Sequence, residues 1–237
     1  MYFGDIIRKN YHQAKRRLTW ALYRRQRIVS TDSKAFIEDR AKNGPLKLHL
    51  CCGDKHYDNY VNIDIVPLEG TDILMDIPDD LACLHSGSVA EILMESGFEH
   101  FYRHQQGKLL SEVHRLLREG GKFIIKNLPD FDAIVDAYIH KKKGNVSKMF
   151  DLNEVYRLTH GEPEPHNAPH QLHKDIFTKE SIAILLERHG LKVERVENTV
   201  FPGETIAVSL MVMAVKPENQ RGQIKINSVR PQRKDKT

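Results

Sequence analysis

Several residue types and patterns are scarce in this sequence, and each scarcity excludes a class of protein. The 237 residues include three cysteines, too few for a disulfide framework, so a reducing cytoplasm is expected. No apolar run approaches the roughly 20 residues that cross a membrane. Residues 1–30 also lack the apolar segment of a secretory signal. We therefore expect a cytoplasmic protein.

The composition nevertheless provides for a folded core. Hydrophobic residues make up 40% of the chain and charged residues 29%, which excludes wholesale disorder. A length of 237 residues suits one domain with attachments better than two full domains.

Charge is distributed unevenly along the chain. The formal net charge of +4 combines +7 in residues 1–29 and +5 in residues 216–237 with −8 in residues 30–215. An acidic body disfavours a nucleic-acid surface on the body itself, because such surfaces are more often basic. Basic ends that act as arms on RNA or DNA are kept as an alternative.

Apolar periodicity predicts an α/β fold with a mostly parallel sheet. One amphipathic helix is expected to end at the glycine pair 120–121, and another runs from Thr178 to Gly190. Short apolar segments alternate with these helices and are predicted as strands at 48–51, 60–65, 72–75, 90–94, 122–126, 192–197 and 207–215.

Both ends of the chain are predicted to lie outside the main domain, which spans residues 46–216. Residues 1–45 form a helical extension with helices at 4–29 and 32–41, and residues 217–237 form a disordered basic tail. The helix at 4–29 has an apolar stripe and a basic face. We expect it to pack on the domain; the alternative is a peripheral contact with anionic lipid at the inner face of the membrane.

Residues 127–177 interrupt the alternation and are predicted as an insertion with helices at 131–140 and 146–158. The insertion ends in a cluster of four histidines, His160, His166, His170 and His173, interleaved with three prolines. The prolines exclude a helix, so a zinc-binding histidine pair on one helical face is not expected, and no metal is predicted. The cluster is interpreted either as a structural loop or as a lid over an acceptor pocket.

The most informative segment is a strand, a tight turn of small residues and a second strand that ends in an acid. It reads Leu-His-Leu-Cys-Cys-Gly-Asp at 48–54, followed by Val-Asn-Ile-Asp at 61–64. Ligands bind beyond the carboxyl ends of parallel strands, where a carboxylate can accept hydrogen bonds from ribose hydroxyls. The diphosphate-binding pattern G-x-G-x-x-G is absent. The segment therefore favours a ligand that has a ribose but no diphosphate.

From residue 46 to residue 217 the sequence resembles the class I S-adenosylmethionine-dependent methyltransferases, most closely the methyltransferase-11-like group. The order and spacing of several segments carry this resemblance. They are Leu-Cys-Cys-Gly at 50–53, Val-Asn-Ile-Asp at 61–64, Asp-Ile-Leu-Met-Asp at 72–76, Phe-Glu-His-Phe at 98–101, and the stretches 112–123, 173–180 and 213–217.

The resemblance implies a Rossmann-like fold and a cofactor site for S-adenosylmethionine. In this site Asp64 would bind the ribose and Asp76 would lie near the adenine. The complete set of implied cofactor residues is Cys51, Cys52, Gly53, Asp64, Ile65, Asp76, Ile77, Met94 and Glu95. The candidates for the catalytic base are His100 and His173, since histidine can accept a proton near neutral pH.

Three features depart from the family pattern. His49 replaces the usual acid of the first strand, and Cys51 replaces the first glycine of the turn, which narrows the approach to the cofactor. Residues 54–60 are also too few for the usual helix between the first two strands. That helix is expected to be absent or vestigial.

The resulting hypothesis is a methyltransferase that acts on a hydroxyl of a small molecule or glycan, or less readily on an amine. Two alternatives remain from the sequence. One is a non-catalytic interaction module with a worn cofactor site, motivated by His49 and Cys51. The other is a nucleic-acid methyltransferase that uses its basic ends. The sequence gives no oligomeric state.

Overall fold

The computed structural model describes residues 31–143, 149–161, 171–201 and 204–218. The described residues form the helices α1 (Thr31–Lys42), α2 (Arg103–Leu116), α3 (Phe131–Ile139), α4 (Leu152–His160) and α5 (Lys179–Arg188). The strands are β1 (Leu46–Leu50), β2 (Val61–Asp64), β3 (Ile73–Leu74), β4 (Val89–Glu95), β5 (Leu117–Pro129), β6 (Lys192–Thr199) and β7 (Ser209–Val215). Two 3-10 turns lie at Asp79–Cys83 and Phe98–His100.

All seven strands of the described part of the chain join one mostly parallel sheet, so the predicted Rossmann-like α/β fold is confirmed. The strand order is β3-β2-β1-β4-β5-β7-β6. The first five strands of this order pair in parallel, and β7 runs antiparallel to both of its neighbours. The chain leaves β1 in one direction and returns on its other side at β4. This reversal makes the carboxyl ends of β1 and β4 the expected place for a ligand.

The main core lies between the sheet and the helices α2 and α5. Leu48, Leu50 and Ile92 on the strands are fully buried. The helices contribute their apolar faces to the same cluster, with Leu109, Leu110, Val113 and Leu116 from α2 and Ile182 and Leu186 from α5. Burying each such side chain contributes about 1.5–3 kcal/mol, so this layer fixes the strand ends that carry the site.

The predicted end of helix α2 at the glycine pair 120–121 is wrong. The helix ends at Leu116, and β5 begins at Leu117. The terminal carbonyl groups of His114 and Leu117 accept hydrogen bonds from Nζ of Lys216, both at 2.8 Å. Gly120, with φ +70°, instead forms a turn whose N–H donates to the carbonyl of Lys216. Lys216, which follows β7, thus binds the carbonyl groups at the end of α2, where the glycine pair was expected to cap the helix.

No helix connects β1 to β2, as the short spacing predicted. Residues 51–60 cross over as turns and cover a polar patch of the sheet. Beneath them His49 is fully buried, bonded through Nδ1 to the side chain of Asn62, and packed 5.1 Å from the ring of Tyr57. Helix α1 supports the connection through Arg40, which donates to the carbonyl of Asp58. His49 therefore lies under the connection rather than at the strand ends.

Both helices predicted in the insertion are present, and one of them is shifted along the chain. Helix α3 matches the prediction for 131–140, whereas α4 begins at Leu152, six residues after the predicted start. Asp151 explains this start, because its side chain accepts hydrogen bonds from the N–H groups of Asn153 and Glu154. The two helices pack together around Ile134, Phe150 and Leu158.

Other predictions concern segments that the structure does not describe. The helix at 4–29 and all of the tail beyond residue 218 lie outside the described residues, as do residues 162–170 of the histidine-rich loop. Within the residues that are described, no helix has the length and apolar character needed to span a membrane.

Candidate functional site

A carboxylate at the end of β2 fastens the turn that follows β1. Oδ2 of Asp64 accepts a hydrogen bond from the N–H of Gly53 at 2.8 Å, and Oδ1 accepts one from the N–H of Val66 at 3.0 Å. Asp64 is only 9% exposed. A Cβ built on Gly53, whose φ is +59°, meets no atom within 4 Å. The side chain of Asp64 therefore fixes the backbone of the turn, and the space next to the Cα of Gly53 is open.

Cys51 takes a backbone conformation that glycine normally adopts. Its φ is 57°, in the left-handed region. Its side chain points toward β4, since a Cβ added to Gly97 would lie 2.9 Å from the Cβ of Cys51. The side chain of Cys51 therefore fills space between the end of β1 and the residues that follow β4, which is the narrowing that the sequence predicted.

Neither cysteine of the turn is a reactive thiolate. Burial and the nearby charge of Asp64 raise the pKa of Cys51 well above its ordinary value. The same two causes raise the pKa of Cys52 to about 12. Both thiols stay protonated at neutral pH, and they serve as small packing groups of the turn.

The remaining predicted cofactor residues occupy the ends of β2, β3 and β4 with different exposures. Met94 and Ile77 are buried in the main core. Ile65 and Asp76 are half-buried. The backbone N–H of Asp76 donates to Oδ2 of Asp80 at 2.7 Å, which fixes the chain after β3.

Glu95 at the end of β4 binds the connection 51–60. Its carboxylate accepts hydrogen bonds from Nζ of Lys55, from the hydroxyl of Tyr57 at 2.8 Å and from Nδ2 of Asn127 at 3.0 Å. Burial alone would raise the pKa of Glu95, but the bonds from Lys55 and Tyr57 outweigh it and lower the pKa. Sequence reasoning missed these three partners, of which Asn127 has an unusual φ of 58°.

Glu95→Gln should lower the free energy of unfolding by about 1–3 kcal/mol, because charge-assisted bonds at a largely buried group are lost. The control is Glu197→Gln, whose ion pair with Arg195 is exposed and whose removal should change stability by less than about 0.5 kcal/mol. Urea unfolding measures both. Because the folded-state pKa of Glu95 is lowered, its contribution is present above the unfolded pKa and disappears as pH falls through the folded pKa. Equal stability losses in the two variants at neutral pH would contradict the assignment.

A second cluster brings together Glu99, His100 and His173. Each offers a ligand atom within 4.8 Å of those of the other two. The histidine rings meet edge to face with centroids 5.1 Å apart, and Nε2 of His100 lies 3.9 Å from Oε1 of Glu99. Both predicted catalytic histidines are therefore neighbours in the fold, although 73 positions separate them in the chain.

Backbone hydrogen bonds hold this cluster together. The N–H of Lys174 donates to the carbonyl of Glu99 at 2.8 Å, and the N–H of His173 donates to the carbonyl of His160 at 3.0 Å. Beneath them, the ring of Phe98 packs 5.5 Å from the ring of Phe177. The 3-10 turn after β4 is thereby joined to the segment that leads into α5.

Burial dominates the protonation of the cluster. It raises the pKa of Glu99 to about 7, and the charge of His173 opposes this shift. Burial lowers the pKa of His100, against hydrogen bonds with the carbonyls of Leu172 and Ser96. It also lowers the pKa of His173, against the charge of Glu99. Both imidazoles are thus mainly neutral at pH 7.

The other loop histidines do not join this cluster within the described residues. His160 is exposed, and its ring stacks on that of Tyr156 at 4.9 Å. His166 and His170 lie outside the residues that the structure describes.

No protein-family model and no curated protein matches the chain. Among solved structures, a methyltransferase dependent on S-adenosylmethionine from Methanosarcina mazei is 13% identical with a TM-score of 0.48, over 77% of this chain and 97% of that one. The 1,6-didemethyltoxoflavin-N1-methyltransferase of Burkholderia thailandensis, with bound S-adenosylhomocysteine, is 13% identical with a TM-score of 0.48, over 91% and 89%. Phosphoethanolamine N-methyltransferase 2 of Haemonchus contortus is 13% identical with a TM-score of 0.45, over 80% and 53%.

Proposed function

We propose that the protein is a methyltransferase that uses S-adenosylmethionine and acts on a hydroxyl of a small molecule or glycan. The observation that carries this proposal is the bond from the N–H of Gly53 to Asp64. It places a buried carboxylate beside an open turn at the point where the strand order reverses, and ribose-containing ligands bind at such points.

The residues present fit this cofactor. The carboxylate of Asp64 lies at the end of β2 and directly beside the turn that follows β1. The space above Gly53 admits a ligand close to the backbone. Asp64 would hold the ribose hydroxyls, Asp76 and Ile77 would lie toward the adenine, and the turn from Cys51 to Gly53 would lie toward the amino-acid end. Ile65, Met94 and Glu95 complete the wall, with Met94 and Glu95 contributing backbone because their side chains are engaged elsewhere.

The reaction needs a methyl donor, correct orientation of the two reactants and removal of the acceptor proton. When bound, the cofactor supplies the electrophilic methyl group. The chain orients the two reactants and assists the loss of the acceptor proton. We assign the second task to the cluster of Glu99, His100 and His173, which the fold places beyond the end of β4. His100 and His173 are the catalytic residues of this proposal.

The acceptor class is inferred from charge. Residues 30–215, which contain the site, have a net charge of −8, which disfavours a polyanionic acceptor such as nucleic acid. Helix α4 of the insertion borders the cluster, since Nδ1 of His173 donates to the carbonyl of Leu158 at 2.8 Å. The insertion would therefore form one wall of the acceptor pocket, and a neutral hydroxylated acceptor fits this setting.

Titration calorimetry of the full chain with S-adenosylmethionine tests the cofactor assignment. We expect saturable binding of one equivalent, and weaker binding of the dinucleotide NAD, because the turn lacks a diphosphate loop. Absence of binding by the folded protein would contradict the proposal and favour the interaction module. Cys51→Gly is titrated in parallel: binding by this variant alone would show that the cysteine side chain closes the site.

A further inference from the structure

The cluster of Glu99, His100 and His173 has the composition of a metal site. Two imidazoles and one carboxylate present ligand atoms within 4.8 Å of one another. They come from two segments that backbone hydrogen bonds hold together, so the cluster is built into the fold rather than formed by mobile surface side chains. Three such ligands, with a fourth position open to water or substrate, are typical of catalytic zinc sites.

The ring of His173 is oriented in the way that metal-binding histidines usually are, and the ring of His100 shares the same kind of Nδ1 contact. Nδ1 of His100 lies 3.2 Å from the carbonyl oxygen of Leu172, and Nδ1 of His173 lies 2.8 Å from that of Leu158. An Nδ1–H that donates to a carbonyl leaves the lone pair of a neutral ring on Nε2, one of the two nitrogens through which histidine binds metals. The carbonyl of Ser96 also hydrogen-bonds the ring of His100, so a metal would replace that contact.

An independent observation comes from Glu99. The residue is 3% exposed, and its Oε2 is buried without a hydrogen-bond partner among the described atoms. A buried carboxylate oxygen without a partner is costly, and a cation removes that cost.

We propose that Glu99, His100 and His173 bind a divalent transition-metal ion of the zinc class, which in turn coordinates the acceptor hydroxyl. This inference rests on the proposed function and deepens it, because it makes the activation of the acceptor dependent on metal. The two imidazoles then assist the loss of the acceptor proton as metal ligands and do not accept that proton themselves. A bound cation lowers the pKa of a coordinated hydroxyl, whose proton then leaves to water. We do not expect the cluster to bind magnesium, since Mg²⁺ prefers six oxygen ligands and this cluster provides only one carboxylate.

The test uses the full chain, freed of metal by a chelator and then titrated with Co²⁺ and Zn²⁺ without cofactor or acceptor. We expect one equivalent of Co²⁺ to produce visible absorption bands and Zn²⁺ to displace it. Glu99→Gln and His173→Ala should each weaken Zn²⁺ binding by at least about 100-fold, because even partners outside the first ligand sphere change affinity by about 10–100-fold. His160→Ala, in the same segment but exposed, is the matched control and should bind as the unaltered chain does.

Three results would overturn the metal site: unchanged Zn²⁺ affinity in both variants, binding of Mg²⁺ in place of Zn²⁺, or no binding at all. If the variants do not fold, X-ray absorption of the zinc-loaded unaltered chain decides. It should show two imidazole nitrogens and oxygen ligands at about 2.0–2.2 Å, and a thiolate ligand or a larger number of imidazoles would contradict the site. Binding of S-adenosylmethionine without binding of metal overturns only this inference, whereas metal binding without cofactor binding overturns only the proposed function.

Discussion

His173→Ala is expected to lower kcat by about 10²–10⁴-fold, the usual contribution of a group that assists proton transfer, while the affinity for S-adenosylmethionine stays within about twofold. The ring of His173 lies beside His100 and Glu99, whereas the proposed ribose ligand is Asp64 at the end of β2. Release of S-adenosylhomocysteine, measured in a screen of hydroxylated sugars and small molecules, provides the assay. His173→Asn should not restore activity, because an amide neither accepts the proton nor replaces the imidazole as a ligand.

The control for His173 is His160→Ala, which removes an exposed imidazole from the same segment. Its kcat should stay within about twofold of the unaltered value, as expected for a surface change. Full activity of His173→Ala would contradict the role assigned to the cluster. Equal losses in both variants would indicate that the segment contributes structure rather than chemistry.

Asp64→Asn is expected to weaken binding of S-adenosylmethionine by about 10–150-fold, which corresponds to about 1.5–3 kcal/mol for hydrogen bonds to a charged group. The amide keeps one oxygen acceptor but turns an NH₂ group toward a second backbone N–H, so the turn at Gly53 also loosens. Titration calorimetry well below the melting temperature measures the affinity, and thermal unfolding measures the accompanying loss of stability.

Asp72→Asn separates these two effects. Oδ2 of Asp72 accepts hydrogen bonds from the backbone N–H and from Nδ2 of Asn62, at 2.8 and 2.9 Å. The variant should therefore also destabilise the fold, by about 1–3 kcal/mol. Its affinity for the cofactor should change much less than that of Asp64→Asn, because Asp72 precedes β3 and its carboxylate is bound to Asn62 rather than to the turn at Gly53. Unchanged affinity in Asp64→Asn would contradict the ribose assignment.

The sequence predicted most of the fold because the apolar periodicity of strands and helices is local. It also predicted the elements that carry Gly53 and Asp64, since a turn and the next strand end are close in the chain. The partners of Glu95 were not predictable in this way. Lys55 and Tyr57 lie about 40 positions before it and Asn127 lies 32 after it, and only the assembled sheet brings them together.

Similar reasoning explains the other differences. The glycine pair at 120–121 is a valid helix-stop signal locally, but the helix ends earlier, at Leu116, where Lys216 from about 100 positions away binds carbonyl groups at the helix end. The sequence named His100 and His173 separately as candidate bases and predicted no metal. Their juxtaposition with Glu99 depends on how the insertion folds back on the turn after β4, and a single sequence does not encode that contact as a pattern.

The direct connection between β1 and β2 affects the order in which the site can assemble. The entropy lost on closing a loop grows with the logarithm of its length, and residues 51–60 are shorter than the usual helical crossover of a dozen or more. These strands can therefore pair early, since contacts close in the chain form fastest. Gly53 and Asp64 come together within this local unit. Glu99 and His173 meet only when a segment more than 70 residues later docks, so the acceptor side of the site forms last.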